Sequence, residues 1–365
     1  MDEAELMRQI GAIGPLDKDA WQAADRRLEA LAKPPGSLGE LEEMVRRLSG
    51  IRGGVCTGLG RKCVLVFSAD NGVVEEGVAS CPQSITAAQT INMIRGVTGV
   101  GVLARHYGAE LRVTDVGVNA DLNYPGLICR KIRRGTGNIA RGPAMTRAEA
   151  VLALSIGFQT ACAAARDGCG VLGVGEMGIG NTTTSSAVLA ALQRLDRQQV
   201  GQVVGRGAGL TDDGYRKKLE AVQNALEVNQ PDGKDPIDVL CKVGGLDIAA
   251  MAGAFLGAAF SRVPAVIDGF ISVVAALAAV RLNPLAREYL FASHQSYERG
   301  YRMAVEELGL RPCLLLGMRL GEGSGCPIMF SVMEGACAVA REMATFEQAS
   351  INTDYLEAIR IPGAF

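Results

Sequence analysis

A single carboxylate set among glycines is the sharpest chemical signal in this sequence. In Leu320-Gly-Glu-Gly-Ser-Gly325 the acid Glu322 follows the apolar run Leu314–Leu316. Glycines let a substrate approach the backbone closely, and partial desolvation lifts a glutamate toward the range of a useful general base. Ordinary solvation is the alternative for an isolated loop acid. A second signal is Gly173-Val-Gly-Glu-Met-Gly-Ile-Gly-Asn-Thr-Thr-Thr-Ser-Ser186. Glycines at 175, 178 and 180 let backbone N–H groups converge, and Asn181 with Thr182–Thr184 can cap a helix whose positive end favours an anion. No Gly-Lys-Ser/Thr follows and no proper dinucleotide fingerprint is present, so the expected ligand is a mononucleotide or sugar phosphate. Glycine-rich strand-to-helix turns also arise purely for tight packing, and that alternative stays open. A second glycine loop, Gly205 to Gly214, runs into a helix carrying Arg216, Lys217 and Lys218, where one lysine can supply positive charge to the first loop or stand on a solvated face. Arg141, in Gly135 to Met145, is a third candidate for facing the anion. Asp70, Asp268 and Glu176 are strand-end acids, any of them a hydrogen-bond acceptor or a cap instead. His294 lacks a Gly-x-Ser-x-Gly elbow, which argues against a Ser-His-Asp hydrolase.

These groups need a scaffold that gathers them. Short apolar runs at Cys63–Phe67, Leu111–Val113, Val171–Val174, Val263–Ile267 and Tyr289–Ala292 end in small or polar residues and alternate with helical periodicity. Strands apolar on both faces and separated by helices predict a doubly wound, Rossmann-like parallel α/β sheet. Ligands of such sheets sit beyond the carboxyl ends of the strands, where these polar groups fall. Residues 61–327 are the expected catalytic domain. A small helical domain is expected from both termini, residues 1–60 and 328–365. Its first part reads as a helix from Asp17 to Leu31, a break at Pro34-Pro35, and a helix opened by a Ser37/Glu40 capping box.

Composition narrows the function classes. Thirty-seven basic against 39 acidic residues give net charge −2, so no overall basic field exists to hold nucleic acid or an anionic membrane. Glycine, at 46 of 365 residues, exceeds the usual ~7% and points to an ordered, close-packed enzyme. Ten scattered cysteines without a CxxC pair, and only two histidines, make a zinc site improbable and suggest a reducing compartment. The acidic start Met1-Asp-Glu-Ala-Glu5 is unlike a signal peptide. The longest uncharged apolar stretch, Gly269 to Val280, falls short of the ~20 residues that cross a bilayer. A cytoplasmic protein with no membrane span is expected.

Together, Lys33-Pro-Pro-Gly-Ser-Leu-Gly39, Ala69-Asp-Asn-Gly-Val73, Gly137 to Met145, Gly175-Glu-Met-Gly-Ile-Gly-Asn-Thr-Thr183, Val204 to Gly209, Val243 to Ile248, Ile267-Asp-Gly-Phe-Ile271, Ser293-His-Gln-Ser296 and Arg319 to Gly325 resemble one family in its own order. That family is nicotinate-nucleotide–dimethylbenzimidazole phosphoribosyltransferase. The resemblance implies a homodimer that moves the 5-phosphoribosyl group from nicotinate mononucleotide to 5,6-dimethylbenzimidazole, giving nicotinate and α-ribazole 5′-phosphate in cobalamin biosynthesis, without metal or cofactor. A related transferase acting on adenine, another benzimidazole or a phenol is the alternative. Carried onto this chain, the resemblance makes Glu322 the general base. Glu176, Gly178, Gly180 and Asn181 hold ribose and phosphate, Lys218 pairs with the phosphate, and Ser80 and Gln89 border the base. The chain departs from the family pattern at Asn71 and Tyr301.

Overall fold

Six strands form one all-parallel sheet: β1 (Arg61–Ala69), β2 (Ala109–Gly117), β3 (Ile128–Cys129), β4 (Cys169–Met177), β5 (Ala265–Ile267) and β6 (Leu290–Ala292), in spatial order β3-β2-β1-β4-β5-β6. The computed structural model describes residues 1–354 and Leu356; the remainder of the expected 328–365 segment lies outside the described residues. This order is the Rossmann arrangement, in which the direction of winding reverses between β1 and β4. Ser68 pairs with Met177, so the carboxyl ends of those two strands stand level and open a crevice between the loops that follow them. Each of the five apolar runs overlaps a strand, although Val263 and Pro264 precede β5 and Tyr289 ends the 3-10 helix before β6. Three of the strands run longer than their runs, because ladder pairing continues through polar residues such as Asp115 and Glu176. The two-residue β3 carried no apolar signal, being exposed at the sheet edge.

The glycine excess has a mechanical use. Helices Arg147–Arg166 and Leu246–Phe260 lie in backbone contact. A Cβ at Gly157 would come to 2.7 Å from the Ala250 carbonyl carbon, and one at Gly253 to 2.7 Å from that of Leu154. Gly157→Ala is therefore expected to force the helices apart and destabilise the fold by about 1–3 kcal/mol, read as a lower denaturant midpoint. Helix Arg147–Arg166 is also, among the described residues, the one helix long and apolar enough to cross a membrane, a feature that the Gly269–Val280 reading overlooked. Over half of its most apolar window is buried within the protein.

Two structural units are distinguishable. Met1–Gly14 and Arg61–Met329 form the larger; Pro15–Gly60 and the chain from Phe330 onward form the smaller. The assignment differs from the expected 1–60 boundary, because Leu6 and Ile10 bury the first helix, Glu3–Gly11, against helices of the larger unit. Within the smaller unit, Asp17 caps helix Lys18–Ala30 through the Ala20 N–H at 2.9 Å. The Ser37/Glu40 capping box does not form. Helix Glu40–Arg52 starts after Gly39, which turns with φ +53°, and the Glu42 carboxylate instead accepts the Leu38 N–H at 3.1 Å and pairs with buried Lys33 at 2.8 Å. Arg27 ties the two chain segments together, donating to the carbonyls of Ala340 and Met343 at 2.8 and 2.9 Å.

Candidate functional site

The loop after residue 318 lies directly on β4, and Gly175 is the reason it can. A Cβ there would stand 2.5 Å from Gly323 Cα and 2.6 Å from the Glu322 carbonyl carbon. Gly321, Glu322 and Gly323 all take positive φ, at +84°, +66° and +86°. For a glutamate that conformation is costly, on the order of 1–3 kcal/mol, and persists only where the surroundings enforce it. The enforcement comes from Asp268 at the end of β5, whose carboxylate accepts the Gly323 N–H at 3.0 Å and the Gly325 N–H at 2.7 Å. Asp268→Asn removes the charge from this clasp and leaves one acceptor oxygen for two donors. The expected result is amide exchange at Gly323 or Gly325 faster by about tenfold or more, the kinetic equivalent of a lost charge-assisted hydrogen bond.

Held this way, the Glu322 side chain is only 5% exposed and accepts the Val100 N–H at 3.0 Å. Burial dominates its titration and raises it above the ordinary glutamate value, against the opposing bonds from Val100 and Thr98. Two more buried acids, Glu176 and Asp268, line the same cavity, and a third, Asp247, lies behind Gly178. Burial lifts Asp247 and Asp268 each to about 7, and burial reinforced by the charges of Asp247 and Asp268 raises Glu176 well above its usual range. Glu176 accepts the side-chain amide of Asn181. Asn181 thus serves as a partner to Glu176 and not as the expected helix cap; helix Asn181–Leu192 is preceded by Gly180 at φ +94° with no side-chain cap.

The cationic end is built by Lys218. Helix Asp212–Asn229 places it with no exposure, and its Nζ donates to Thr182 Oγ1 at 2.9 Å, at the positive end of helix Asn181–Leu192. Gly207 closes over the pair: a Cβ there would meet Thr182 Oγ1 at 3.0 Å and Lys218 Nζ at 3.5 Å. Burial lowers the Lys218 ammonium to about 8, partly offset by the charge of Glu298. Of the expected phosphate cations, Lys218 alone touches the crevice lining, through Thr182, and it stands behind that lining without facing the cavity itself. Arg141 lies at the surface paired with Glu76 at 2.8 Å, and Lys217 pairs with Asp213 at 2.9 Å.

One cavity brings together Glu322, Glu176, Gly178, Asn181, Thr182 and Gln89. Ser80 instead lines an adjoining recess that shares the 178–182 wall and also contains Gly180. Gly178 has a packing duty besides, since a Cβ would crowd the Ala69 carbonyl and come to 2.9 Å from Asp247 Oδ2. His294 lines the cavity but is buried and lowered to about 4, hence neutral. Ser293 Oγ and Asp268 Oδ1 both face its Nδ1, at 3.1 and 3.8 Å, so no serine–histidine–aspartate relay forms. Sequence reasoning missed the clasp made by Asp268 and the position of Glu298, whose Oε2 is buried without a hydrogen-bond partner near Lys218. The strand-end position of Asp268 was the available signal; Glu298 offered none.

The geometry is a strained, sheltered carboxylate in the cavity and, behind the Thr182 lining at a helix N-terminus, a buried ammonium. The phosphoribosyltransferase family model matches residues 13–351. A nicotinate-nucleotide–dimethylbenzimidazole phosphoribosyltransferase of Clostridium perfringens is 53% identical, covering 97% of this chain and 98% of the relative. One from Ruminiclostridium cellulolyticum is 51% identical over 94% and 97%. The crystal structure of the Thermus thermophilus protein of the same name superposes with TM-score 0.86 at 41% identity, covering 92% of this chain and 99% of that one. With a family model and full-length relatives in agreement over nearly every residue of the two units, the chain belongs to the nicotinate-nucleotide–dimethylbenzimidazole phosphoribosyltransferase family.

Proposed function

We propose that this protein transfers the 5-phosphoribosyl group of nicotinate mononucleotide to 5,6-dimethylbenzimidazole, forming α-ribazole 5′-phosphate and nicotinate. The observation that supports the reading is one cavity lined by Glu322 and, at a helix N-terminus, by Thr182, which Lys218 backs. The donor phosphate lies by the N-terminus of helix Asn181–Leu192, where Lys218 and Thr182 meet it, and Glu176 with Asn181 contacts the ribose. Gly178 and Gly180 shape the turn beneath them. The acceptor ring occupies the side bordered by Gln89 and Ser80. Glu322 takes the ring N–H proton as the opposite nitrogen attacks the anomeric carbon. Inversion from β to α follows when attack comes from the face opposite the departing nicotinate. The donor's pyridinium is a cationic leaving group that departs as neutral-ring nicotinate, so the protein's tasks are alignment and one proton transfer. The raised titration of Glu322 makes it a stronger base than a solvated glutamate once ionised.

The test is direct. Incubation with nicotinate mononucleotide and dimethylbenzimidazole should release nicotinate and yield a product with α configuration by NMR. Absence of release across a range of benzimidazoles and purines would overturn the reading. The same proposal has the enzyme acting as a homodimer in the cytoplasm. Its ten cysteines stand as free thiols, which suits a reducing compartment, and Leu315 and Leu316 offer exposed apolar surface to a second copy.

A further inference from the structure

Cys56 and Cys337 lie in the smaller unit, remote in sequence from each other, and neither lines the crevice. Their sulfurs stand 3.6 Å apart, in van der Waals contact, and both side chains are buried. Among the described residues, the one group of three possible metal donors is Cys63, Glu110 and Cys169, and both Glu110 oxygens there are engaged by Arg112 and Arg61 at 2.7 and 2.9 Å. No third donor joins Cys56 and Cys337, so the chemistry open to them is covalent. We propose that Cys56 and Cys337 form an intramolecular disulfide when the protein meets a low-molecular-weight disulfide, stapling the N-terminal and C-terminal segments of the smaller unit to each other.

The local structure favours Cys56 as the attacking sulfur. The hydrogen bond from Cys337, and beside it the Arg52 guanidinium, hold the Cys56 thiol below its ordinary range despite burial. Arg52 also donates to the carbonyls of Gly58 and Leu59 at 2.6 Å each, which keeps it beside the loop. That loop carries Gly53, Gly54, Gly58 and Gly60 and is exposed at Gly53, Gly54, Thr57 and Gly60 on either side of buried Cys56, giving a small oxidant a way in. In the first step the Cys56 thiolate attacks one sulfur of the oxidant R–S–S–R, forming Cys56–S–S–R and releasing RS⁻. Cys337 then gives up its proton and attacks the Cys56 sulfur, expelling the second RS⁻. The two cysteines lose two electrons and two protons, and the oxidant leaves as two RSH. Closing the bond requires the sulfurs to move from 3.6 Å to about 2.05 Å. Cys63 and Cys169 make an internal comparison: they are also neighbours, but there burial raises the Cys63 thiol, in contrast to the lowered Cys56.

The experiment treats the folded, fully reduced wild-type protein with oxidised glutathione and counts free thiols, then maps the peptides by mass spectrometry. The expected result is a fall from ten free thiols to eight, a mass loss of about 2 Da, and a Cys56–Cys337 linked peptide. Cys337→Ser should stop at the mixed disulfide and carry one glutathione on Cys56. Ten thiols remaining, a Cys63–Cys169 link in place of Cys56–Cys337, or glutathione only on exposed Cys129 would each overturn the proposal.

Discussion

Glu322→Gln is expected to lower turnover by about 10²–10⁴-fold, the span of a lost general base, while donor affinity stays within about twofold of wild type. The amide matches the carboxylate in size and still accepts the Val100 N–H, so the loop keeps its place. What disappears is the capacity to accept the acceptor ring's proton. The pH profile separates this loss from a structural one. In the wild type, burial raises the Glu322 titration, so turnover should fall as pH drops through that raised value and the carboxylate becomes protonated. The Gln variant should show no such acidic limb. Nicotinate release measured from pH 5 to 9 for both proteins decides the matter; equal rates would assign the base elsewhere.

Lys218→Met should raise the KM for nicotinate mononucleotide by about 10–100-fold, the equivalent of one charge-assisted hydrogen bond, with a smaller change in kcat. Methionine fills much of the buried volume without bringing a charge. The wild-type enzyme carries its own control. Burial lowers the ammonium to about 8, so the free enzyme is cationic below that pH and increasingly neutral above it. Donor affinity should therefore weaken as pH rises through 8 in the wild type and stay flat in Lys218→Met. Binding calorimetry with nicotinate mononucleotide at pH 7 and pH 9 reads both effects.

The strands and their carboxyl-end loops were legible because apolar runs bounded by small or acidic residues leave few other readings, and the order of the polar segments did the rest. Glu322 could be singled out because glycines flank it on both sides. Its left-handed backbone and the Asp268 clasp were invisible, since each depends on β5 lying beside β4, a contact between positions far apart in the chain. Asn181 misled for a related reason: Asn ahead of a helical run is a standard cap, but here a buried carboxylate competes for its amide and wins. Arg141 misled because its loop is anchored through Thr136 to the Gly72 N–H, which turns the guanidinium toward Glu76. The departures at Asn71 and Tyr301 also gained positions. Asn71 is buried with its Oδ1 accepting from Thr184 at 3.3 Å, and the Tyr301 ring is buried with its hydroxyl unpartnered.

The glycine-to-backbone seam between helices Arg147–Arg166 and Leu246–Phe260 bears on how this protein can diverge. A wall whose main chains already touch has no slack to absorb even a methyl group, so drift there is filtered by foldability before chemistry is ever tested. Under the proposed function, variation that retunes which heterocycle is accepted is expected instead among the cavity and recess residues around Ser80, Gln89 and Leu320. A mutant library aimed at new ring systems should concentrate its diversity at those residues and leave the seam alone.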